Sequence, residues 1–313
     1  MGGITTFGET MVRLSPSPGE RIETADALDF RTAGAESNVA IAAARLGADA
    51  TWVSKLPDTP LGRRVAGDVR RHGVDPEIAW SDEGRQGTYY IERGGEPRGT
   101  SVIYDRADAA VTSMTTSEAP TDPVASADVF FTTGITPALS ETLRETTADL
   151  LETASTTAFD LNYRGKLWSP EGARETLETL LPNVDLLFVP ERDARTVLGA
   201  EGPAETIGAD LRDRFDCEAV VVTRGSDGAL ASTEAGVVEQ DAFAAETVDP
   251  IGTGDAFVGA FLSRYVRDAS VATALKWGAA AASLKRTIEG DHAVITDGEV
   301  ADVVAADGTG IDR

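Results

Sequence analysis

The 313-residue chain is 42% hydrophobic with a mean hydropathy of -0.14, enough apolar content to fill a sizeable core as one soluble globule. No stretch approaches the ~18 uninterrupted apolar residues of a membrane span, and Met1 to Glu9 lacks the basic flank and apolar run of a signal peptide, so a cytoplasmic location is the expectation. Against 28 basic residues stand 52 acidic ones, a formal net charge of -24 that repels nucleic acid and anionic membrane and makes neither an expected partner.

Only four of the basic residues are lysines: Lys55, Lys166, Lys276 and Lys285. An acidic, lysine-poor surface suits concentrated salt, where self-repulsion is screened to a Debye length of about 3 Å at 1 M. A halophilic host is the expectation. Cys217 is the only cysteine, which excludes an intrachain disulfide and a Cys-based zinc site, and it reads as a small buried hydrophobe ahead of a strand. His72 and His292 lie far apart with no ligand spacing around either, a poor basis for a two-histidine metal site unless the fold brings them together.

In chain order, residues 4–32 carry β-like, partly alternating runs, notably Ile4 to Leu14, with no helix between them. Asn38 then reads as the cap of a helix whose apolar face is Val39, Ala42, Ala43 and Leu46, with Gly47 as its left-handed stop. Thr51-Trp52-Val53-Ser54 reads as a strand. Residues 86–106 are β-like again: Thr88 to Glu92 and Thr100 to Tyr104 flank a turn over Gly94-Gly95-Glu96-Pro97-Arg98-Gly99. The segments at about 9–32 and 86–108 are expected to form a small β-sheet lid projecting from the main layer; extra edge strands of the same sheet are the alternative.

From residue 129 onward short continuous apolar runs alternate with helical patterns. Val129 to Thr132, Ala158 to Leu161, Leu186 to Val189 and Ala219 to Val222 read as strands, with helical windows at roughly 140–155, 170–181 and 191–214. Strands covered on both faces look like this, and parallel strands need such crossovers. The expected fold is α/β: a single domain over 1–313 with a doubly wound, mainly parallel α/β/α sheet, sites at the strand carboxyl ends, and the β lid.

The segment most informative about chemistry is Val248-Asp249-Pro250-Ile251-Gly252-Thr253-Gly254-Asp255, followed by an amphipathic helix through Phe257, Ala260 and Phe261. Glycines let backbone amides approach an anion, and a helix N-terminus contributes a positive end of roughly half a charge. Asp255, within the first turn, is placed to take the proton of an attacking hydroxyl while the amides hold a transferring phosphate. An ordinary acidic helix start is the bland alternative. A second turn, Thr223-Arg224-Gly225-Ser226-Asp227-Gly228, follows a strand's carboxyl end; a nucleotide lying over it and a plain hairpin into Ala229-Leu230 are both open. There is no Gly-Lys-Ser/Thr of a Walker A loop, and no Gly-x-Gly-x-x-Gly follows the first strand.

Taken in order, Ala33-Gly34-Ala35-Glu36-Ser37-Asn38 with Arg45-Leu46-Gly47, Gly134-Ile135-Thr136-Pro137-Ala138-Leu139-Ser140, Asp160-Leu161-Asn162-Tyr163-Arg164, Leu167-Trp168-Ser169-Pro170, the Asp249 to Asp255 segment and Gly290-Asp291-His292 form a recognisable series over about residues 4–295. The chain resembles the ribokinase-like (PfkB) carbohydrate kinases, and within them the 2-keto-3-deoxygluconate kinases. The resemblance implies that Asp255 is the catalytic base and that Gly252, Thr253 and Gly254 form an anion hole. It implies that Thr223, Arg224, Gly225 and Gly228 border ATP together with Gly252 and Gly254, and that Gly34, Tyr90, Tyr104, Arg106, Arg164 and Asp291 surround the sugar acid. It further implies Mg2+ with ATP, a lid that closes, and a homo-oligomer, a dimer paired through the lids.

Three positions depart from the family pattern. Pro190-Glu191-Arg192-Asp193 stands where Asn-x-x-Glu is common, which leaves Asp193, at the position of that Glu, as a candidate to face a metal through its water and the metal ligands otherwise unassigned. Ala33 replaces a common glycine, and the segment from Gly278 to Gly290 is longer. Chemistry bears on the substrate independently: a sugar carboxylate in so acidic a protein needs cationic partners, and arginine's planar fork suits it. Phosphorylation of 2-keto-3-deoxygluconate is therefore the expected activity. The alternatives are a PfkB-type kinase of a neutral sugar or nucleoside, a non-catalytic sugar- or nucleotide-sensing module, and more distantly a dinucleotide-fold oxidoreductase.

The charge balance carries a test of its own. Unfolding free energy should rise with salt up to molar concentrations; a protein that grows more stable as salt falls well below ~1 M contradicts the halophilic expectation.

Overall fold

Consecutive apolar positions in a strand can all be buried only where both faces of the sheet are covered. In Val129-Phe130-Phe131, Phe130 packs into one core with Phe159 and Leu187, while Val129 and Phe131 pack into another with Phe188 and Phe261. The same alternation runs through residues 186–189 and 219–222. Full burial of each such phenylalanine is worth roughly 1.5–3 kcal/mol relative to exposure.

The computed structural model describes residues 3–94 and 97–306. The chain begins β1 (Gly3–Phe7), β2 (Met11–Ser15), β3 (Asp29–Ala33), α1 (Ala35–Arg45), β4 (Asp49–Pro57), α2 (Pro60–Arg70), β5 (Asp75–Ser81), β6 (Thr88–Arg93) and β7 (Thr100–Asp105). It continues α3 (Thr121–Ala125), β8 (Val129–Thr133), α4 (Ile135–Ala138), α5 (Glu141–Thr153), β9 (Thr157–Asp160), α6 (Pro170–Leu180), β10 (Leu186–Pro190), α7 (Glu191–Leu198) and α8 (Ala204–Phe215). The last part is β11 (Ala219–Thr223), β12 (Ala229–Thr233), β13 (Gly236–Gln240), α9 (Thr253–Tyr265), α10 (Val271–Arg286) and α11 (Asp297–Ala306).

The main sheet has nine strands in the order β13-β12-β11-β10-β9-β8-β1-β4-β5. All neighbours from β11 to β5 pair in parallel, and β12 and β13 are added antiparallel at one edge. The lid is a separate four-stranded sheet, β3-β2-β6-β7, as expected from 9–32 and 86–108, and not an extension of the main edge. Within its predicted turn, Gly94 N–H bonds to the Gly99 carbonyl at 2.8 Å, while Gly95 and Glu96 lie outside the described residues.

Three local expectations are corrected, and one strand went unread. Ile4 to Leu14 is not one lid strand: it divides at Gly8, so that β1 enters the centre of the main sheet and β2 enters the lid. A side chain at Gly8 would overlap the Glu36 carboxyl at about 2.2 Å, so any larger residue there would have to displace that carboxyl. Asn38 does not cap α1; Gly34, four residues earlier, holds the cap position. The window 191–214 is two helices, because Gly199 and Gly202 take left-handed conformations (φ 69° and 85°) ahead of Pro203. Asp75–Ser81, an edge strand with few buried positions, gave no signal in the sequence.

The strands from β1 to β11 share one direction, so their carboxyl ends open onto one edge of the sheet. The lid lies across that edge, held by two arginines of its own strands. Arg13 of β2 pairs with Asp291, and Arg93 of β6 pairs with Asp249, a carboxylate with no exposed surface.

Candidate active site

The turn before α9 forms because Gly252, at φ 78°, takes the left-handed conformation that glycine tolerates. A side chain there would also collide with the Asp291 carbonyl at 2.0 Å. Gly252 is thus fixed by conformation and by contact, and it lays the start of α9 against Gly290-Asp291. Gly254 faces open space where a side chain would stand, so its amide is approachable by an anion.

Asp255 occupies the first turn of α9 and opens into a cleft of about 510 Å3 between the sheet edge and the lid. Its Oδ2 accepts a hydrogen bond from Asn38 Nδ2 at 2.6 Å. Burial pushes its carboxyl up to about 6, against the Asn38 bond and the Arg164 charge, which favour the ionised form. Asp160, at the end of β9, faces the same cleft and is pushed up to about 7, by burial first and then by the negative charge of Asp255. Two carboxyl groups set near neutrality and facing one cavity are what proton transfer at neutral pH requires.

Of the residues expected around the sugar, Gly34, Tyr104, Arg164 and Asp291 line this cleft with Gly252, Thr253 and Gly254. Arg164 is exposed and, among the described residues, makes no ion pair; its Nη1 donates to the neighbouring Tyr163 carbonyl at 3.1 Å. Asp291 is buried and already engaged by Arg13 and, at 3.3 Å, by the Tyr89 hydroxyl. Gly34 borders the cleft for a packing reason, since a side chain there would strike the Glu9 carbonyl at 2.1 Å.

Two expected residues are not brought to the cleft. Tyr90 points to the opposite face of the lid, because strand side chains alternate, and Tyr89 lines the cleft in its place. Arg106 is held by Glu9, a carboxylate buried deeply enough to require a cation, and stacks over the Tyr104 ring at 5.6 Å. Glu9 engages its Nη2, while its Nε has no hydrogen-bond partner among the described residues.

On the other side of the α9 start lies an apolar hollow of about 210 Å3 that shares Thr253 and Gly254 with the cleft. Thr223, Gly225 and Gly228 border it, facing Phe243, Phe257 and Ala279. Arg224 does not: its guanidinium turns to Glu239 at 3.2 Å. The Thr223–Gly228 segment is a hairpin, β11 turning antiparallel into β12, and three of its residues, Thr223, Gly225 and Gly228, border the hollow. The longer Gly278–Gly290 segment supplies the last turns of α10, whose Ala282, Ser283 and Arg286 complete the hollow.

Among the described residues no group of three or more histidine, cysteine or acidic side chains is gathered to hold a metal. Asp193 is buried and lines the cleft near Asp160. His72 and His292 do meet, their rings edge to face with centroids 4.9 Å apart, but they line a different hollow, and burial drives His292 down to about 4. Cys217 is buried ahead of β11 as expected, its thiol pushed up to about 12 by burial.

Sequence patterning did not find Asn38 and Asp160 as site residues. Asn38 looked like a helix cap, and its true partner is 217 residues away. Asp160 sat inside an apolar strand, where a carboxylate at the carboxyl end was itself a signal. Lys166 was also passed over; it reaches across to the lid, donating to the Val102 carbonyl at 2.8 Å and lying 5.7 Å from the Tyr104 ring centre.

Comparison with known proteins agrees with this geometry. Residues 1–297 match the pfkB family carbohydrate kinase profile. The chain is 61% identical over 314 residues to 2-dehydro-3-deoxygalactonokinase of Haloferax volcanii, covering 99% of both proteins. It is 28% identical over 296 residues to 2-dehydro-3-deoxygluconokinase of Thermoproteus tenax, covering 93% of this chain and 90% of the relative. The crystal structure of 2-dehydro-3-deoxygluconokinase of Thermotoga maritima superposes with a TM-score of 0.92 at 31% identity, over 97% of this chain and 98% of that one. A half-buried carboxyl in the first turn of a helix, an apolar hollow beside it, a lid across the cleft and agreement along nearly the whole chain lead to one conclusion: the protein belongs to the PfkB family of carbohydrate kinases.

Proposed function

We propose that the chain transfers the γ-phosphoryl group of ATP to the terminal hydroxyl of a 2-keto-3-deoxy sugar acid, giving the 6-phospho ester and ADP. The observation that carries this reading is that Asp255, in the first turn of α9, and Arg164, an exposed cation, line the same cleft. The hydroxyl proton passes to the Asp255 carboxylate as oxygen attacks the γ-phosphorus, and the bond to the ADP oxygen breaks. The amides at Gly252–Asp255 stabilise the charge gathered on the phosphoryl oxygens. Arg164 pairs with the sugar carboxylate at the other end, where a neutral sugar would leave it unanswered.

The adenine end fits the apolar hollow beside Gly225 and Gly228, and the phosphates reach the cleft across Thr253 and Gly254, which the two cavities share. Magnesium bound with ATP would offset charge on the β- and γ-phosphates. Asp193 and Asp160 are the carboxylates of the cleft wall that would face its hydration shell, which accords with Mg2+ keeping several waters rather than needing a full protein cage. Between epimers, the 61% identity to a galactonate-named kinase favours 2-keto-3-deoxygalactonate, with 2-keto-3-deoxygluconate second.

A coupled ADP-release assay comparing both sugar acids with fructose at equal concentration tests the substrate class. Faster turnover of a sugar acid is expected; preference for fructose contradicts it. Arg164→Ala should raise KM for the sugar acid roughly 10- to 100-fold, the loss of one charge-assisted pair, with the KM for ATP nearly unchanged. Equal weakening of both substrates would remove Arg164 from sugar recognition.

The rate should also report the buried carboxyl. Asp255 must be ionised to accept a proton, so with its carboxyl raised to about 6, kcat/KM should fall as pH drops through that region. Asp160, pushed up to about 7, is coupled to it by charge, so the fall in rate belongs to the pair rather than to either carboxyl alone. A rate that stays flat down to pH 5 contradicts the assignment.

A further inference from the structure

Lys285, in the last turn of α10, has no exposed surface. Taking an ammonium out of water costs several kcal/mol unless a partner offsets it, and here the partner is not a carboxylate. Its Nζ donates to two backbone carbonyls, Asp249 at 3.3 Å and Ile288 at 3.1 Å. A lysine that merely caps a helix end does so from the surface, where it stays hydrated. Burial of this one calls for another reason.

The two carbonyls belong to the segments that build the catalytic turn. Asp249 begins the stretch ending in Gly252–Asp255, and Ile288 precedes Gly290-Asp291, whose carbonyl Gly252 touches. The Asp249 carboxylate stitches the same segments, accepting from Ile251 N–H at 3.1 Å and Gly290 N–H at 2.8 Å, and pairs with Arg93 of the lid. The Lys285 charge is also felt at Asp255, where it favours the ionised carboxylate.

We infer that Lys285 is a positioning residue for phosphoryl transfer: its buried ammonium, bonded to the Asp249 and Ile288 carbonyls, locks the Gly252–Asp255 turn against Gly290-Asp291 and fixes a positive charge behind the anion hole. The inference rests on the role given to that turn under the proposed function. Lys285 acts through the turn and does not touch the reacting atoms. A fixed positive charge there stabilises the charge on the transferring phosphoryl oxygens and the leaving ADP oxygen more in the transition state than in bound ATP, so its loss should appear in kcat rather than in KM.

The test uses the full-length enzyme with 2-keto-3-deoxygalactonate and ATP, and two variants. Lys285→Met keeps the volume and removes the charge; Lys285→Ala leaves a cavity the size of a small amine. Lys285→Met should lose at least ~10-fold in kcat, with both KM values within about 2-fold and a cooperative thermal transition like that of the wild type. Lys285→Ala should lose as much and regain at least ~3-fold when ammonium chloride replaces tetramethylammonium chloride at equal ionic strength, while wild type and Lys285→Met do not respond. A folded Lys285→Met with wild-type kcat overturns the inference, as does a folded Lys285→Ala that ammonium leaves unchanged. If neither variant folds in any salt, the lysine is a determinant of folding and the assignment is likewise overturned. An active wild type alongside these outcomes sinks the inference alone; a wild type inactive with every acceptor sinks the functional reading and this inference with it.

Discussion

A carboxyl group held out of bulk water at the positive end of a helix is the constraint around which this molecule is arranged. Left alone, Asp255 would gain a proton and lose its use as a base; burial pushes it in that direction. The Asn38 amide, the charge of Arg164 and the unpaired amides of the first turn of α9 all push back. The result is a group poised near 6, ionised at neutral pH yet basic enough to take a proton. Gly252 makes the geometry possible, since a residue with a side chain could neither adopt its conformation nor approach Asp291.

The rest of the fold serves that placement. Parallel strands bring β1, β8, β9 and β10 to one edge, where Asp160 ends its strand. The lid is not merely adjacent: Arg13 and Arg93 on its strands pair with Asp291 and Asp249, the carboxylates on either side of the catalytic turn. Removing one partner of a buried pair leaves an uncompensated charge. Lid position and turn geometry are therefore energetically joined, and Lys166, reaching from the β9 side to Val102 and Tyr104, adds a third tie. In a chain with so few cations to spare, most of those near the site are committed to structure, which makes Arg164, without an ion pair among the described residues, the more telling.

How far the sequence could be read depended on whether the signal was local. The four buried strands from residue 129 onward announced themselves because each packs both faces, and the Gly-Thr-Gly-Asp turn announced itself because glycines and a first-turn carboxylate are local demands. Asn38 could not be read the same way: at a helix start it looks like a cap, and only the fold brings it to Asp255. Tyr90 and Tyr89 differ by one residue, and a strand places them on opposite faces, so an assignment made without the register named the one that does not line the cleft. Arg106 was legible as a lid cation but not as the partner of Glu9, which lies 97 positions earlier.

The account is tested most directly by Asp255→Asn, which keeps the shape of the side chain and removes its capacity to take a proton. Turnover of the sugar acid should fall by at least ~10²-fold, the low end for loss of a general base, while the affinities for ATP and sugar acid measured by calorimetry stay close to those of the wild type. Turnover near the wild-type rate in a folded Asp255→Asn protein would contradict the central claim.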